Sequence, residues 1–521
     1  MPTLPLSLER LDRCWPLLDS DACRALEAEW QQRLPAHTLM ERAGKAVFSL
    51  SAAIAPHARH VWIACGGGNN GGDGLIAAVH WKKRLEITGG RLTVTWLGEA
   101  SRLPADARYA WQAAQDAGIS FDTSPPSDFD LAIDAIFGLG VHQPVNGYAN
   151  EWIARIQSAT CPVLCVDLPS GLDADRGTWW SAADCLPSSQ RHTLHLLALK
   201  PGAFTQMGRT AAGHGWFDDL GTLPIGSSSR APTAWLFGLP GSTASARADT
   251  HHLHKGSHGD LIVVGGATQT TGTSMAGAAL LAARAGLRAG AGRVYVALLA
   301  DASHTGAPQT DLHQPELMFR TPAQAIQTAA SPQAVCVCGC GAGETIRSWL
   351  PTILDESPAL VLDADALNAI ASDTDLQQQL ALRATRKWRT VLTPHPLEAA
   401  RLLGTTSAAI QADRLLAAQA MATRFACTVA LKGSGTVVAE AGGTPSINPT
   451  GNGLLATAGT GDVLAGLVGA FLCRRDLTPF QATTMAVYLH GMTASDWPRE
   501  QMAMTATDVI DSLRLPVSRS G

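Results

Sequence analysis

The sequence predicts an α/β fold built as two three-layer α/β/α domains, and three observations lead to this prediction. Apolar runs of strand length alternate with helical stretches in both halves of the chain, a pattern typical of parallel sheets with helices on both faces. A chain of 521 residues is too long for one compact core. Its hydrophobic content of 46% can fill two buried sheets, and only 16% of its residues are charged.

The first domain is predicted over residues 1–222. Its apolar runs are short, and a helical stretch at 75–85 separates the first two of them. The predicted strands are 60–65, 92–97, 131–136, 162–167, 194–199 and 215–220.

The same alternation restarts in a second predicted domain, residues 250–521. Residues 223–249 between the two domains are rich in Gly, Ser, Pro and Ala and lack periodicity, which predicts a linker. In the second domain the predicted helices are 275–289 and 461–474, and the predicted strands are 260–264, 293–299, 334–338, 360–363, 390–393 and 428–432.

Charge and composition exclude several classes of protein. A net charge of −5 gives no basic surface for nucleic acid, although backbone N–H groups can still bind small anions. No apolar run reaches the roughly 18 residues of a membrane span, and the N-terminus lacks the pattern of a signal peptide. The eleven cysteines lack the spacing of a metal site. We therefore expect a cytoplasmic homo-oligomer with reduced thiols and no nucleic-acid or membrane partner.

A glycine-rich segment, CGGGNNGGDG at 65–74, follows the first predicted strand and precedes a helix. Glycines let the backbone approach a phosphate closely, and a helix N-terminus offers unpaired N–H groups. Gly66, Gly68 and Gly71 satisfy G-x-G-x-x-G, but Glu86 lies late in the helix rather than after the next strand, unlike an ordinary dinucleotide fold. A tight turn without a ligand is the alternative.

Carboxylates favour a ligand site over a simple turn. Asn69, Asn70 and Asp73 place three polar side chains in the predicted loop, and Asp134 and Asp167 end two later strands. Because ligands bind at the carboxyl ends of parallel strands, the three acids are expected to converge. A single Asp in such a place is more often a helix cap or a turn residue.

A second glycine-rich segment, GNGLLATAGTGDVLAG at 451–466, opens the apolar helix near the C-terminus. Gly459, Thr460 and Gly461 would turn backbone N–H groups toward a phosphoryl group in transfer. Asp462 could accept a proton from an attacking hydroxyl. The alternative is an Asp that only caps its helix.

The first half resembles the NAD(P)H-hydrate epimerase family over roughly residues 20–222, through NNGGDG, DAIFGLG, VDLPSGLDAD and an upstream MERAG. The resemblance implies a Rossmann-like domain, with Asp167 as the substrate-binding and catalytic acid. A fixed carboxylate there would stabilise the cationic or ring-opened species that inversion requires. The other residues that it implies are a substrate loop of Asn69, Asn70, Gly71, Gly72 and Asp73, and a second contact stretch of Gly138, Leu139, Gly140, Val141, His142, Gln143 and Pro144. It also implies a potassium ion near Asn70, Asp134 and Ser170.

One residue departs from the epimerase pattern. Gln143 stands where the family usually has arginine, which weakens a phosphate or ribose contact. An inactive first half is therefore an alternative.

The second half resembles the ADP- or ATP-dependent NAD(P)H-hydrate dehydratases, which are ribokinase-like. The motifs occur in order and are HKGSHGDLIVVGG, GLRAGAGRVYV, LDADALN, TPHPLEAARLLG, LKGSGTVV and GTGD. The resemblance implies that Lys432, Gly433, Ser434, Gly435, Thr436 and Gly461 bind the adenine nucleotide, accompanied by Mg²⁺. It implies that Ala278, Gly341, His395 and the base Asp462 face the hydrated dinucleotide.

Some of these residues have simpler interpretations, and some positions differ from the family. His395 taken alone is more often a satisfied core or loop histidine. Leu397 replaces a usual glycine, and GCGAG at 339–343 replaces a more usual GPGLG. Both changes are conservative enough for the loops to keep their shapes.

Together the two resemblances imply a bifunctional NAD(P)H-hydrate repair enzyme. Its substrates would be hydrated NADH and NADPH and an adenine nucleotide. It would epimerise the R and S hydrates and dehydrate the S form with ADP or ATP, releasing phosphate. The sequence leaves open ADP against ATP, although bacterial members generally use ADP, and NADH-hydrate against NADPH-hydrate. The alternatives are a ribokinase-like kinase of a vitamin precursor and a non-enzymatic binding scaffold.

Overall fold

The computed structural model describes residues 5–9, 11–222, 231–239, 251, 253–268, 273–300, 310–498, 500–501 and 503–514. The chain divides into two compact units, Met1–Leu236 and Phe237–Gly521. Most of the predicted linker lies outside the described residues. Its described part, 231–239, contains a strand that pairs with an N-terminal strand of the first unit. The predicted domain bounds stay predictions.

The sheet of the first unit is parallel apart from one edge strand. The strands described in this unit are β1 (Leu6–Ser7), β2 (Trp15–Leu17), β3 (His60–Gly66), β4 (Arg91–Leu97), β5 (Phe121–Asp122), β6 (Leu131–Ala135), β7 (Val163–Val166), β8 (Arg191–Leu196), β9 (His214–Asp218) and β10 (Ala234–Leu236). The sheet order is β1-β9-β8-β7-β6-β3-β4-β5, and only the β1–β9 pair among these described strands is antiparallel. β2 and β10, which lie outside this order, pair with each other antiparallel.

Helices cover both faces of this sheet, as predicted. They are α1 (Ser20–Arg33), α2 (Thr38–Ile54), α3 (Asn69–Thr88), α4 (Ala105–Asp116), α5 (Tyr148–Gln157) and α6 (Gly208–Ala212), with 3₁₀ turns at Ala100–Arg102 and Pro201–Phe204. Side chains of β3 alternate between two cores: Val61 and Ile63 pack with Trp81 of α3, while Trp62 packs with Trp152 of α5. Because both faces are covered, every residue of β3 is buried.

The second unit is also a mostly parallel α/β layer structure. Its described strands are β11 (Asp260–Thr268), β12 (Arg293–Ala300), β13 (Met318–Phe319), β14 (Ala334–Cys338), β15 (Ala359–Leu362), β16 (Arg389–Leu392), β17 (Thr428–Leu431), β18 (Val437–Ala439) and β19 (Ser446–Ile447). Their order is β13-β12-β11-β14-β15-β16-β17-β18-β19, parallel up to β17 and antiparallel beyond it. The short strands β13, β18 and β19 were not predicted, because two or three residues carry no periodicity.

The helices of the second unit include one that is buried on all sides. They are α7 (Ala276–Arg288), α8 (Pro322–Ala329), α9 (Leu350–Glu356), α10 (Ala364–Ala371), α11 (Thr374–Leu382), α12 (Pro396–Leu403), α13 (Ser407–Ala412), α14 (Arg414–Phe425), α15 (Thr460–Leu472), α16 (Pro479–Ser495) and α17 (Ala506–Ser512). The 3₁₀ turns are Lys255–His258, Glu344–Ser348, Arg383–Arg386 and Gly453–Leu455. From Val463 to Leu472 every residue of α15 is buried, as an apolar sequence requires.

Each parallel sheet has a point where the strand order reverses. In the first unit it lies between β3 and β6, and in the second between β11 and β14. Ligands of such sheets bind at the carboxyl ends of the strands beside this point. None of the helices in the described ranges is both long and apolar enough to cross a lipid bilayer.

Candidate active sites

A cavity of about 560 Å³ opens in the first unit, beside the place where the strand order reverses between β3 and β6. Most of the residues that line it come shortly after the carboxyl ends of β3, β6, β7 and β8. The polar residues that line it are Arg24, Glu27, Asn69, Asn70, Asp73, Asp106, Asp167 and Lys200. Glu27, Asp106 and Lys200 were missed by the sequence analysis because they belong to no recognisable motif.

The predicted substrate loop is the start of a helix, so its interpretation as a loop was wrong. Helix α3 begins at Asn69, six residues before the predicted helix. A Cβ on Gly71 would lie 1.9 Å from the Gly66 carbonyl oxygen, so only glycine lets the helix start this close to β3. Gly71 and Gly72 are buried packing positions, whereas Asn69, Asn70 and Asp73 line the cavity.

Asp167 is paired with a buried lysine at the cavity wall. Its backbone is left-handed, with φ of 64°, a conformation that is rare outside glycine and often found at functional sites. The Lys200 ammonium donates to Asp167 Oδ1, and also to the Leu196 carbonyl at 2.9 Å. The Leu196 N–H donates to the same carboxylate oxygen at 3.1 Å. The carboxylate is therefore fixed in position with its charge compensated.

Two other acids of the cavity, Asp73 and Glu27, have a raised pKa. Burial raises the pKa of Asp73 well above its ordinary value, and the nearby Glu27, Asp167 and Asp106 add to the effect. Burial also raises the pKa of Glu27, against a hydrogen bond that Asn69 Nδ2 donates to it at 3.2 Å. A protonated Asp73 can donate a hydrogen bond and does not repel a phosphate.

The second predicted contact stretch is divided by the structure. Gly138, Leu139 and Gly140 line the cavity, and Val141 is buried outside the lining. His142, Gln143 and Pro144 are exposed and lie outside the lining. His142 Nδ1 lies 3.5 Å from Asp173 Oδ2, on a different group of residues.

Oxygen atoms from separate segments meet at the end of β6. Ser170 Oγ donates to Asp134 Oδ1 at 2.5 Å, and the Phe137 N–H donates to Ser170 Oγ at 2.9 Å. Asn70 lies beside Gly138, and its buried Nδ2 has no hydrogen-bond partner among the described residues. Burial raises the pKa of Asp134, so a negative charge there is costly. Carboxylate, hydroxyl and amide oxygens suit a hard cation, so the donor set fits potassium.

In the second unit Asp462 lies in the first turn of α15, after Gly459 with φ of 89°. Only glycine adopts that conformation without strain. Burial raises the pKa of Asp462 to about 6, with a further contribution from Asp363, while Cys340 and Lys432 oppose the shift. The group is thus mostly ionised at neutral pH and close to the value that suits a general base.

Lys432 connects the predicted nucleotide residues to this acid. Its ammonium lies 2.6 Å from Asp363 Oδ1. A Cβ on Gly461 would come within 3.5 Å of the Lys432 nitrogen, so the lysine and the start of α15 are neighbours. Burial works to lower the pKa of Lys432, but the carboxylates of Asp363 and Glu398 outweigh it and the pKa is raised.

The rest of the nucleotide segment forms a turn after β17. Gly433 and Gly435 have φ of 137° and 63°, and Ser434 lies between them. Thr436 Oγ1 donates to the Gly433 carbonyl at 3.1 Å and fixes the turn. The structure therefore brings Lys432 and Gly461 together and places Gly433, Ser434, Gly435 and Thr436 next along the chain.

His395 is occupied as a helix cap. Its Nδ1 accepts from the N–H groups of Leu397 at 3.1 Å and Glu398 at 3.3 Å, and its Nε2 lies 3.0 Å from Glu398 Oε1. Both ring nitrogens are thus engaged at the start of α12, which matches the simpler interpretation of this residue.

The remaining predicted substrate residues of this unit are adjacent. A Cβ on Gly341 would lie 2.9 Å from the Ala278 Cβ, so the 339–343 loop packs on α7. The Cys340 sulfur and carboxylate oxygens of Asp363 and Asp462 lie within 4.8 Å of one another. Cys340 was not predicted as a site residue, because the change from GPGLG to GCGAG was taken as conservative.

Both halves of the chain match family models. A model described as NAD(P)H-hydrate dehydratase matches residues 261–515. A model described as YjeF-related protein N-terminus matches residues 36–202.

Similar proteins span nearly the whole chain. The bifunctional NAD(P)H-hydrate repair enzyme Nnr of Escherichia coli strain K12 is 34% identical over 504 residues, covering 92% of this chain and 89% of that protein. The protein of the same name from Moorella thermoacetica is 34% identical over 521 residues, covering 93% of each chain. A crystal structure of ADP/ATP-dependent NAD(P)H-hydrate dehydratase from Bacillus subtilis, co-crystallized with ATP and Mg²⁺, is 29% identical with a TM-score of 0.41, covering 51% of this chain and 90% of that chain.

Proposed function

This chain belongs to the family of bifunctional NAD(P)H-hydrate repair enzymes, and we propose that its first unit holds the epimerase site and its second the dehydratase site. The enzyme interconverts the R and S hydrates of NADH and NADPH and dehydrates the S form. The assignment of the sites rests on two aspartates in different surroundings. Asp167 is held by Lys200 in one cavity, and Asp462 has its pKa raised to about 6 beside Lys432.

In the dehydratase reaction Asp462 acts as the base. It accepts the proton of the added hydroxyl while that oxygen attacks the terminal phosphoryl group of ADP or ATP. Lys432 and the backbone N–H groups of Gly461 and Asp462 stabilise the transferred negative charge. Phosphorylation turns the hydroxyl into a good leaving group, and loss of phosphate together with a proton from the adjacent ring carbon then restores the dihydronicotinamide ring.

In the epimerase reaction Asp167 faces the carbon whose configuration changes. Inversion requires a bond to that carbon to break, and the carboxylate stabilises the positive charge that develops. Lys200 compensates the negative charge of the Asp167 carboxylate and fixes its orientation. Asn69, Asn70, Asp73 and the segment from Gly138 to Gly140 bind the nucleotide, and we place Gly71 and Gly72 behind them as packing residues.

Two metal ions complete the proposal. Potassium would be held by Asn70, Asp134 and Ser170, where it supplies a fixed positive charge beside the substrate phosphate. Magnesium accompanies the phosphates of ADP or ATP. Support for the potassium site is the buried Asp134 carboxylate with the Ser170 hydroxyl bound to it, and the Asn70 amide beside Gly138 in the segment after β6.

Ala278 and Gly341 form the wall of the dehydratase site against the hydrated dinucleotide. His395 contributes by fixing the start of α12 and supplies an exposed ring edge. In the epimerase half, Val141, His142, Gln143 and Pro144 would need to move inward to reach the ligand.

We also propose that the protein works in the cytoplasm, since the structure describes all eleven cysteines and joins none in a disulfide. The homo-oligomer stays a prediction.

The direct test uses a mixture of both epimers of hydrated NADH, with magnesium and either ADP or ATP. Recovery of NADH from both epimers, with matching phosphate release, is the expected result and identifies the donor. Recovery from one epimer alone would show that the first unit is inactive and direct attention to Gln143. A stable phosphorylated product without phosphate release would establish the small-molecule kinase instead.

A further inference from the structure

Cys340 occupies a rigid position beside the proposed base of the dehydratase site. It is completely buried and lies two residues after β14, where the strand order of the sheet reverses between β11 and β14. The Gly266 N–H donates to the Cys340 carbonyl at 2.9 Å, and the Gly339 N–H donates to the Val264 carbonyl at 3.1 Å. These two hydrogen bonds tie the loop to β11 and fix the backbone at Cys340.

Four groups lie near Asp462, from three segments of the chain. Asp363 and Asp365 lie where β15 leads into α10, Lys432 follows β17, and Cys340 follows β14. The Cys340 sulfur and a carboxylate oxygen of Asp462 lie within 4.8 Å of each other. The Lys432 ammonium and Thr393 Oγ1 both donate to Asp363 Oδ1, at 2.6 and 2.8 Å.

Asp365 is also engaged away from Asp462. Its Oδ2 accepts from the Gly343 N–H at 2.8 Å. Two of the four groups are therefore carboxylates that repel a charged Asp462, and Lys432 is committed to Asp363. Cys340 is the neutral group among them.

The thiol can serve Asp462 as a hydrogen-bond donor. Burial raises the pKa of Cys340 well above its ordinary value, and the negative charges of Asp363 and Asp462 add to this. Burial and these charges therefore favour the protonated thiol, which is the form that can donate a hydrogen bond. A donor aimed at a carboxylate favours the ionised form of that carboxylate.

We propose that Cys340 is a positioning residue for the dehydratase reaction, whose thiol donates a hydrogen bond to Asp462 and keeps that carboxylate ionised and oriented toward the substrate hydroxyl. The inference rests on the proposed role of Asp462 as the base. It gives a role to the cysteine of the GCGAG segment, where the more usual GPGLG has a proline.

The test is the pH dependence of kcat/KM for dehydration of the S hydrate, measured on the full chain. In Cys340→Ala the lost donor moves the acidic limb upward by about half to one pH unit, because the ionised base is less favoured. Activity at pH 6 then falls by about 2- to 5-fold, and the loss is smaller at pH 8.5, where the base is ionised in both proteins. Cys340→Ser keeps a donor, so its limb lies at or below that of the unaltered protein.

Cys338→Ala is the matched control. Cys338 is also fully buried and ends β14, two residues before Cys340, but burial and Cys336 account for its raised pKa, without Asp462. Its pH profile is expected to overlay that of the unaltered protein, so that a shift in Cys340→Ala alone reports on Asp462.

The outcomes separate this inference from the proposed function. An acidic limb in Cys340→Ala that overlays the unaltered protein would overturn the role of Cys340, provided Asp462→Asn is inactive. Full activity of Asp462→Asn would instead overturn the role of Asp462 as base. If Cys340→Ala does not fold, Cys340→Ser decides the matter, since an upward shift of its limb contradicts a hydrogen bond from residue 340.

Discussion

Two helices of this molecule begin with a glycine-rich segment that carries an aspartate, and the pKa values of the two aspartates are raised to different extents. Burial raises the pKa of Asp73 of α3 well above the ordinary value, and Glu27, Asp167 and Asp106 add to the rise against Lys200. Burial and Asp363 raise the pKa of Asp462 of α15 to about 6, while Cys340 and Lys432 oppose the rise. NGGD and GTGD look alike as sequence, yet the neutral form is favoured more strongly at Asp73, whereas Asp462 remains a usable base. Burial and the neighbours of the acid, more than its motif, decide its chemistry.

The strongest test of this difference is to neutralise the proposed base. Asp462→Asn should lower kcat of dehydration by roughly 10²- to 10⁴-fold, because an amide cannot accept the hydroxyl proton. Binding of ADP or ATP, followed by a thermal shift, should persist, and epimerisation should be unaffected. Asp375→Asn, an exposed first-turn aspartate of α11, is the control and should behave like the unaltered protein.

The second strongest test is the replacement of Asp167 in the first unit, which should slow epimerisation. Asp167→Asn should slow interconversion of the hydrates by roughly 10²-fold or more, since the fixed charge that stabilises the intermediate is lost. The measurement is the rate at which the R form becomes available to an added, unaltered dehydratase. Retention of full epimerisation with an intact fold would remove Asp167 from the mechanism, and Asp122→Asn on an exposed strand end serves as control.

The two activities should also respond differently to acid. Because Asp462 must be ionised and its pKa is about 6, kcat/KM of dehydration should fall about tenfold for each pH unit below 6. The sign follows from the role, since protonation removes the base and deprotonation restores it. A dehydration rate that stays level from pH 5 to 8, with substrate and fold intact, would contradict this assignment.

The smallest effect is expected at Asp73. Burial favours the neutral form of this carboxyl, and Asp73→Asn supplies an amide of similar shape that can also donate, so epimerisation should change by less than about threefold. Asp73→Leu, which removes the donor, should raise KM for the hydrated nucleotide. If Asp73→Asn proves as damaging as Asp167→Asn, Asp73 functions as a carboxylate and the contrast with Asp462 is lost.

Much of the fold was predictable because its signals are local. The alternation of apolar runs predicted β3, β6 and β14 within one residue and the start of β11, which continues four residues beyond its predicted end, and these strands adjoin both candidate sites. The GTGD segment predicted the start of α15 within one residue. The start of α3 was wrong because NNGGDG reads as a loop, whereas close contact with β3 demands glycines within the helix.

The missed residues depend on contacts that the sequence does not encode locally. Lys200 follows an apolar strand without any motif, and only the fold brings it to Asp167. Glu27 lies in an amphipathic helix where an acid is usually a solvated one. His395 resembled a ligand residue in TPHP, but the capping geometry that engages both its nitrogens appears only in three dimensions.

The distribution of the cysteines has a practical consequence for handling this protein. Cys23, Cys336 and Cys427 are buried with the pKa raised to about 12, so very little thiolate is present at neutral pH. Cys14, by contrast, is exposed. Since thiolate is the species that oxidants and alkylating reagents attack, the folded enzyme should tolerate mild oxidants and take up a maleimide dye first at Cys14. That position offers a site for a fluorescent label in single-molecule work without engineering the remaining thiols away.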